Sequence, residues 1–229
     1  MDCDMDLITL KDITFAYGED EPPVLDHLSF SLAKGKCLVV EGENGAGKTT
    51  LFRILNGLSF PQSGRYLFDG IQIDRNYLKN NQNAKLFHKR IGYLFQNPDL
   101  ILFNASVYDE IAFGPRQMGL KETEVQTRVE DCMNLFHLSA YRDKAPYHLS
   151  GGQKKRVALA AVMALNPEVL ILDEPFAGLD QKNAENLMAF LKEMKSAGKT
   201  LIIASHHPAV KERLADEVLT LCNNKSESF

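Results

Sequence analysis

The 229-residue sequence has only four cysteines, Cys3, Cys37, Cys132 and Cys222, and no Cys-x-x-Cys pair. Thiols this scattered offer neither the paired spacing of a zinc site nor the density of a disulfide framework, so reduced cysteines are the simpler expectation. Long apolar runs are missing as well. No stretch reaches the roughly 18 residues that a membrane-spanning helix needs. The amino terminus, Met1-Asp2-Cys3-Asp4-Met5-Asp6, is acidic where a signal peptide is basic and then apolar. Such a chain is expected to be soluble and to serve a membrane only by docking on it. Basic excess is lacking too: 26 Lys and Arg against 30 Asp and Glu leave a formal charge of −4. That balance argues against a surface made to neutralise nucleic-acid phosphates. Two local basic runs, His88-Lys89-Arg90 and Lys154-Lys155-Arg156, remain contact candidates beside the plainer reading of a solvated face. Repeats and low-complexity tracts are absent apart from a short polar tail from Asn223 to Phe229, expected to fray.

What the sequence does have is 45% hydrophobic residues, ample for a sizeable core. Residues 7 to 32 alternate apolar and polar in Leu7-Ile8-Thr9-Leu10, in Ile13 to Tyr17 and in Leu28 to Leu32, punctuated from Gly18 to Pro23. This predicts an antiparallel sheet, joined by a strand at Tyr66-Leu67-Phe68. The texture changes at Cys37-Leu38-Val39-Val40, a continuous apolar run suited to a strand buried on both faces. Leu51, Ile54, Leu55 and Leu58 then fall on one helix face. A strand from Ile91 to Phe95 precedes a long helical stretch from about Ser106 to Leu165. Within it Val125, Val129, Cys132, Met133 and Phe136 form one stripe, and Val157 to Leu165 is apolar almost all round. Val169 to Leu172 and Leu201 to Ala204 read as further buried strands, joined by a helix that turns Ala184, Leu187, Met188 and Leu191 to the core. Strand alternating with helix is the grammar of a parallel sheet with right-handed crossovers, so the predicted fold is α/β with an inserted helical subdomain.

The stretch from Gly42 to Thr49, Gly-Glu-Asn-Gly-Ala-Gly-Lys-Thr, fits G-x-x-x-x-G-K-[ST] and lies between a buried strand and an amphipathic helix. Glycines let a loop turn its amides toward an anion, and the helix start adds unpaired N–H groups. The predicted nucleotide cradle is Gly42, Asn44, Gly45, Ala46, Gly47, Lys48, Thr49 and Thr50, with Lys48 on the outer phosphates and the Thr49 hydroxyl on Mg²⁺. Asp173 and Glu174 directly follow the strand Val169 to Leu172, which brings them out at the carboxyl edge of the sheet, where open α/β sheets bind ligands. Asp173 is placed to hold Mg²⁺, and Glu174 to polarise the attacking water as general base. ATP and Mg²⁺ are the expected ligands.

Leu149-Ser150-Gly151-Gly152-Gln153, followed by Lys-Lys-Arg, resembles the signature of the ABC ATPases, and the likeness runs from about residue 5 to residue 220. It implies a P-loop NTPase (RecA-like) core over 36–59, 81–96 and 166–222, an antiparallel β region over 1–35 and 60–80, and a helical subdomain over 97–165, all in one domain. Ser150 and the amides of Gly151 and Gly152, with Gln153, would form a second anion cradle at a helix start. In the family that cradle closes on ATP held by a partner, so two nucleotides are sandwiched in a head-to-tail dimer. By the same resemblance Gln96 is the loop glutamine that touches Mg²⁺ or water and senses the transmembrane partner. Asp180, in Ala177-Gly178-Leu179-Asp180, lies in the loop linking the two sites. His206 contacts the γ-phosphate, with His207 the alternative imidazole, and Tyr17 stacks on adenine.

The segments from Phe95 to Asp99 and from Val107 to Pro115 resemble the energy-coupling-factor importers of cobalt, nickel and vitamins. Leu100-Ile101 stands where that group commonly reads Asp-Gln, and the chain stops soon after its last core strand, without the extension many members carry. The resemblance implies a second ATPase subunit, identical or not, a transmembrane coupling subunit and a membrane-embedded substrate binder, with work at the cytoplasmic face of the cell membrane and no nucleic acid. Leu100, Ile101, Leu102 and Phe103 either pack in the core or line a groove for a partner helix. A soluble ABC ATPase that remodels nucleic acid or protein complexes is the rival reading, though a second ATPase unit, long insertions and basic extensions are missing. A nucleotide switch that does not hydrolyse is a further one, against which Glu174 speaks.

Overall fold

The structure, a computed structural model, describes residues 6–222; Cys3, the acidic start 1–5 and the polar tail 223–229 lie outside the described residues. The elements in chain order are β1 (Asp6–Phe15), β2 (Leu25–Ala33), β3 (Cys37–Glu41), α1 (Lys48–Leu55), β4 (Ser63–Phe68), β5 (Ile71–Gln72), α2 (Arg75–Lys79), α3 (Asn81–Arg90), β6 (Ile91–Leu94), α4 (Val107–Gln117), α5 (Glu122–Leu135), α6 (Gly151–Met163), β7 (Val169–Asp173), α7 (Gln181–Ser196), β8 (Thr200–Ala204), α8 (Pro208–Leu214) and β9 (Glu217–Thr220).

Two sheets result. The first is antiparallel, in the order β2-β1-β4-β5, and the second is parallel, in the order β6-β7-β8-β3-β9. The alternation in β1 changes phase between Leu10 and Ile13, and a register shift there with Asp12 at φ 57° lets both stay buried. In the parallel sheet both faces are covered, and successive residues enter different cores. Cys37, Val39, Leu170, Leu172, Leu201 and Ile203 pack with Val107, Ile111, Val157, Leu187 and Leu191 of the helical side. Leu38, Val40, Val169, Ile171, Ile202 and Ala204 pack with Leu51, Phe52, Ile54 and Leu55 of α1 and with Ile8, Leu10 and Ile13 of β1. Each such side chain taken from water contributes about 1.5–3 kcal/mol, which is why these strands read as unbroken apolar runs.

The helical stretch expected from Ser106 to Leu165 is broken. Gly119 at φ 78° ends the turn after α4, and from Phe136 to Ser150 the chain has only two short 3-10 turns, at Ser139–Tyr141 and Pro146–His148. His137 at φ 54° and Pro146 are the local stops. Leu58 lies past the end of α1 and is half exposed rather than part of its buried face, because Gly57 turns the chain at φ 65°. Ala184, partly buried, packs against the core as expected, and Phe190 joins Leu187, Met188 and Leu191 inside it. The basic runs are largely internal ties. Arg90 pairs with Glu168 at 2.6 Å and Asp69 at 2.8 Å, Lys154 with Asp99 at 2.7 Å, and Arg156 donates to the Phe136 carbonyl at 3.3 Å. No helix among the described residues is long and apolar enough to cross a membrane.

The helical region is seated on the sheet where α6 crosses β6. A Cβ on Gly92 would come within 2.5 Å of Val162 Cγ1 and 2.8 Å of Pro167 Cγ. Replacing Gly92 with Ala is therefore expected to destabilise the chain by roughly 1–3 kcal/mol through overpacking. The midpoint of urea unfolding should fall with its slope preserved, and an unmoved midpoint would show that the contact is looser than described.

Candidate nucleotide-binding site

β3, β6, β7 and β8 end along one edge of the parallel sheet, and the loops that leave them meet there. The loop after β3 carries Gly42 at φ 148° and Gly47 at φ 94°, and a Cβ on Gly42 would lie 2.6 Å from the Leu221 carbonyl oxygen. Only glycine fits. Gly47 caps α1 without a side chain, so the first-turn amides of that helix stay free to donate toward an anion. The Lys48 ammonium donates to the carbonyls of Gly42 and, at 2.9 Å, Glu43, which holds it across the mouth of the loop. Thr49 Oγ1 donates to Asp173 Oδ2 at 3.0 Å, joining the start of α1 to the end of β7.

Asp173 is 3% exposed, and burial pushes its carboxyl above the usual aspartate range. Glu174 leaves the strand at φ 46°, in the left-handed region that a non-glycine residue enters at a cost. Its N–H donates to the Ala204 carbonyl at 2.9 Å, and its Oε2 accepts from the His206 N–H at 3.3 Å. His206 Nε2 lies 3.4 Å from Glu174 Oε1, a buried oxygen with no hydrogen-bond partner. The neighbouring His207 ring instead lies tilted on Phe176 at 5.0 Å, so His206 is the imidazole that faces the carboxylate. Lys155, 7% exposed in α6, donates to the carbonyls of Glu174 at 3.3 Å and Ala177 at 2.7 Å, and burial pulls its ammonium below the usual lysine range.

A cavity of about 890 Å³ unites Tyr17, Asn44, Gly45, Gly47, Lys48, Thr49, Thr50, Gln96, Asp173, Glu174 and His206. Tyr17 is 59% exposed at its rim, with its hydroxyl 2.9 Å from Thr50 Oγ1 and its ring edge-on to Phe15. Gly42 lines an adjoining hollow, and Ala46 is buried beneath the loop. The oxygens of Thr49, Asp173 and Gln96 are the hard donors that suit Mg²⁺, which takes the rest of its shell from phosphates and water rather than from an all-protein cage. Among the described residues there is no group of three or more His, Cys, Asp or Glu placed to hold a metal ion.

The second predicted cradle lies elsewhere. Ser150 caps α6, its Oγ accepting from the Gln153 N–H at 3.4 Å, while Gln153 Oε1 accepts from the Ser150 N–H at 2.8 Å and Gln153 Nε2 donates to Tyr141 at 2.9 Å. A Cβ on Gly151 would meet nothing within 4 Å. Asp180 caps α7 by accepting from the Asn183 N–H at 2.8 Å, and it is exposed. Neither Ser150, Gly151, Gly152 and Gln153 nor Asp180 lines the cavity. Of the candidate docking residues, Leu100 and Phe103 are 72% and 67% exposed, whereas Ile101 and Leu102 pack against the core. Phe103 is held outward by Glu110, whose buried Oε2 accepts from the N–H groups of Phe103 at 3.0 Å and Asn104 at 2.8 Å. Sequence reasoning missed Val24, Phe176, Ser205 and Pro208 in the cavity wall. Ser205 alone carried a signal, its place directly after a buried strand.

The raised folded pKa of Asp173 means that the native state holds the proton more tightly than the unfolded chain. This group therefore subtracts stability as pH rises from the ordinary aspartate value through the raised one. Replacing Asp173 with Asn removes the buried charge and keeps an acceptor for Thr49. Without nucleotide or metal, the variant should melt at a higher temperature than wild type at neutral pH, with the gap closing in acid. A lower neutral-pH Tm in calorimetry would contradict this account.

A family model described as ABC transporter matches residues 25–177. The nickel import ATP-binding protein LarO of Lactiplantibacillus plantarum is 46% identical over 198 residues, covering 86% of this chain and 82% of that protein. The energy-coupling factor transporter ATP-binding protein EcfA of Methanothermobacter thermautotrophicus is 40% identical over 215 residues, covering 94% of this chain and 68% of that protein. Among solved structures, the dimeric post-hydrolysis state of the ATP-binding cassette MJ0796, bound to ADP and Pi, matches with a TM-score of 0.83 at 27% identity, covering 93% of this chain and 94% of that one.

Proposed function

Because the chain belongs to the ABC transporter ATP-binding family, and so is an ATPase, we propose that it is the cytoplasmic motor of an energy-coupling-factor importer. The likeness to LarO and EcfA supports the importer type, and the observation that carries the paired motor is the division of the chemistry. Lys48, Thr49, Asp173, Glu174 and His206 share one cavity, while the Ser150 helix start is no part of its lining and is exposed, capped by its own turn. Half a nucleotide site at each of two places is what a head-to-tail pair needs, and the MJ0796 cassette is a dimer in its ADP- and Pi-bound form.

In this mechanism the loop amides and Lys48 hold the phosphates, and Tyr17 stacks on the base, a contact worth about 1–3 kcal/mol. Thr49, Asp173 and Gln96 would hold Mg²⁺, which would supply neutralisation of the charge developing on the transferred phosphoryl group. Glu174 takes a proton from the attacking water. Its unpartnered Oε1 is the acceptor for that role, and the His206 imidazole beside it would contact the γ-phosphate. Ser150, Gly151, Gly152 and Gln153 of a second ATPase subunit, a copy of this chain or a related one, close on the same nucleotide, and Asp180 stands at the seam. Closure pushes on a transmembrane coupling subunit seated near Leu100 and Phe103, which works with a membrane-embedded substrate binder, and hydrolysis reopens the pair. Among cobalt, nickel and vitamins as cargo, the likeness to a nickel importer favours a transition-metal ion. The internal pairing of Arg90, Lys154 and Arg156 supports no nucleic-acid partner.

Glu174→Gln should bind ATP as wild type does while its turnover falls by roughly a hundredfold or more. Wild-type steady-state turnover would refute the assigned base. Ser150→Ala combined with Gly151→Asp should abolish turnover yet leave ATP on the single chain; loss of ATP from the monomer in equilibrium dialysis would contradict a site built from two chains. Affinity purification from membranes followed by mass spectrometry should recover a polytopic partner, and recovery of RNA-binding or ribosomal proteins instead would overturn the transport reading.

A further inference from the structure

The turn from Glu174 to Ala177 has an unusual internal support. Glu174 sits at φ 46° with nothing glycine-like to excuse it. Its carbonyl accepts from the Ala177 N–H at 3.2 Å, closing a tight turn, and the ammonium of Lys155 reaches the same carbonyl at 3.3 Å and that of Ala177 at 2.7 Å. A buried cation between two carbonyls holds such a turn far better than solvent could, because each bond to a charged donor is about twice as strong as a neutral one. Lys155 belongs to α6, one helical turn beyond Ser150 and Gly151. The turn it holds begins at the proposed base and leads, through Gly178, to Asp180.

We infer that Lys155 is a positioning residue that ties the serine-glycine helix start to the backbone of Glu174, so that gripping the partner's nucleotide sets the carboxylate serving this chain's own. The inference rests on the proposed role of Glu174 and on a paired state. A helix start that shifts on engaging phosphate carries Lys155 with it, and the two carbonyls follow, because among the described residues no other side chain donates to them. The left-handed backbone at Glu174 can relax when its brace moves, which makes the carboxylate placement responsive rather than fixed.

The test is Lys155→Met, which keeps the stem and removes the donors, beside Lys155→Arg, which restores charged donors. With the complete chain and Mg-ATP, K155M should lose roughly tenfold to a hundredfold in kcat with KM and single-chain ATP affinity unchanged, and its cooperativity in ATP should disappear, while K155R recovers most of both. Wild-type kcat and cooperativity in K155M, in a preparation series where E174Q is inactive, would overturn the brace alone. An active E174Q would overturn the reading of the base beneath it. A parallel loss of ATP affinity and kcat in K155M, unrescued by K155R, would reduce Lys155 to a structural lysine and refute the coupling. Should K155M fail to fold, hydrogen exchange on the unaltered chain decides: ATP should slow the amides of 151–155 and 174–180 together, and protection of the first without the second rejects the link.

Discussion

Strands β3, β7 and β8 have no solvated face, and that constraint shapes everything polar in the chain. Side chains leaving alternately to two apolar cores carry charge only at great cost, so the first places where Lys, Asp, Glu or His stand are the last residue of a strand and those just past it. Parallel pairing puts those ends on one edge. Gly42 after β3, Asp173 at the tip of β7, Glu174 after it and Ser205 to His207 after β8 are thus neighbours because their strands are. The Thr49–Asp173 hydrogen bond is the cross-tie that turns this adjacency into a site.

The same edge concentrates the features that do nothing for stability. A desolvated carboxyl at Asp173, a left-handed glutamate and an orphan oxygen on it each cost folding free energy, and the two cores must offset them. Away from this edge the ion pairs are ordinary cross-braces, as with Arg90, which joins Asp69 of the antiparallel region to Glu168 beside β7 and lies over the Phe68 ring at 4.5 Å.

Much of this was legible in the sequence because its signals are local. Unbroken apolar runs marked β3, β7 and β8, and the glycine spacing from Gly42 to Gly47 marked the loop between β3 and α1. The strand end gave Asp173 and Glu174, the resemblance to the ABC ATPases gave Gln96 and His206, and all four line one cavity. What escaped was either short or long-range. β5 has two residues and β9 is mostly exposed, so neither carries a pattern. The break from Phe136 to Ser150 is set by a few turn residues inside a region rich in helix formers. Phe176 and Val24 reach the cavity through packing that no spacing rule encodes, and Lys155 reads as one more basic residue until its ammonium is seen between two carbonyls.

The cap of α6 has a consequence for which residue evolution could have put there. A hydroxyl oxygen accepts the Gln153 amide with one lone pair and still owns a proton to give away. In the proposed role, Ser150 would begin its helix and still have that proton to offer an anion. Aspartate would begin the helix as well, yet it has no proton to lend and would turn the visitor back. At this one position, what the fold tolerates and what the proposed contact would accept are different alphabets.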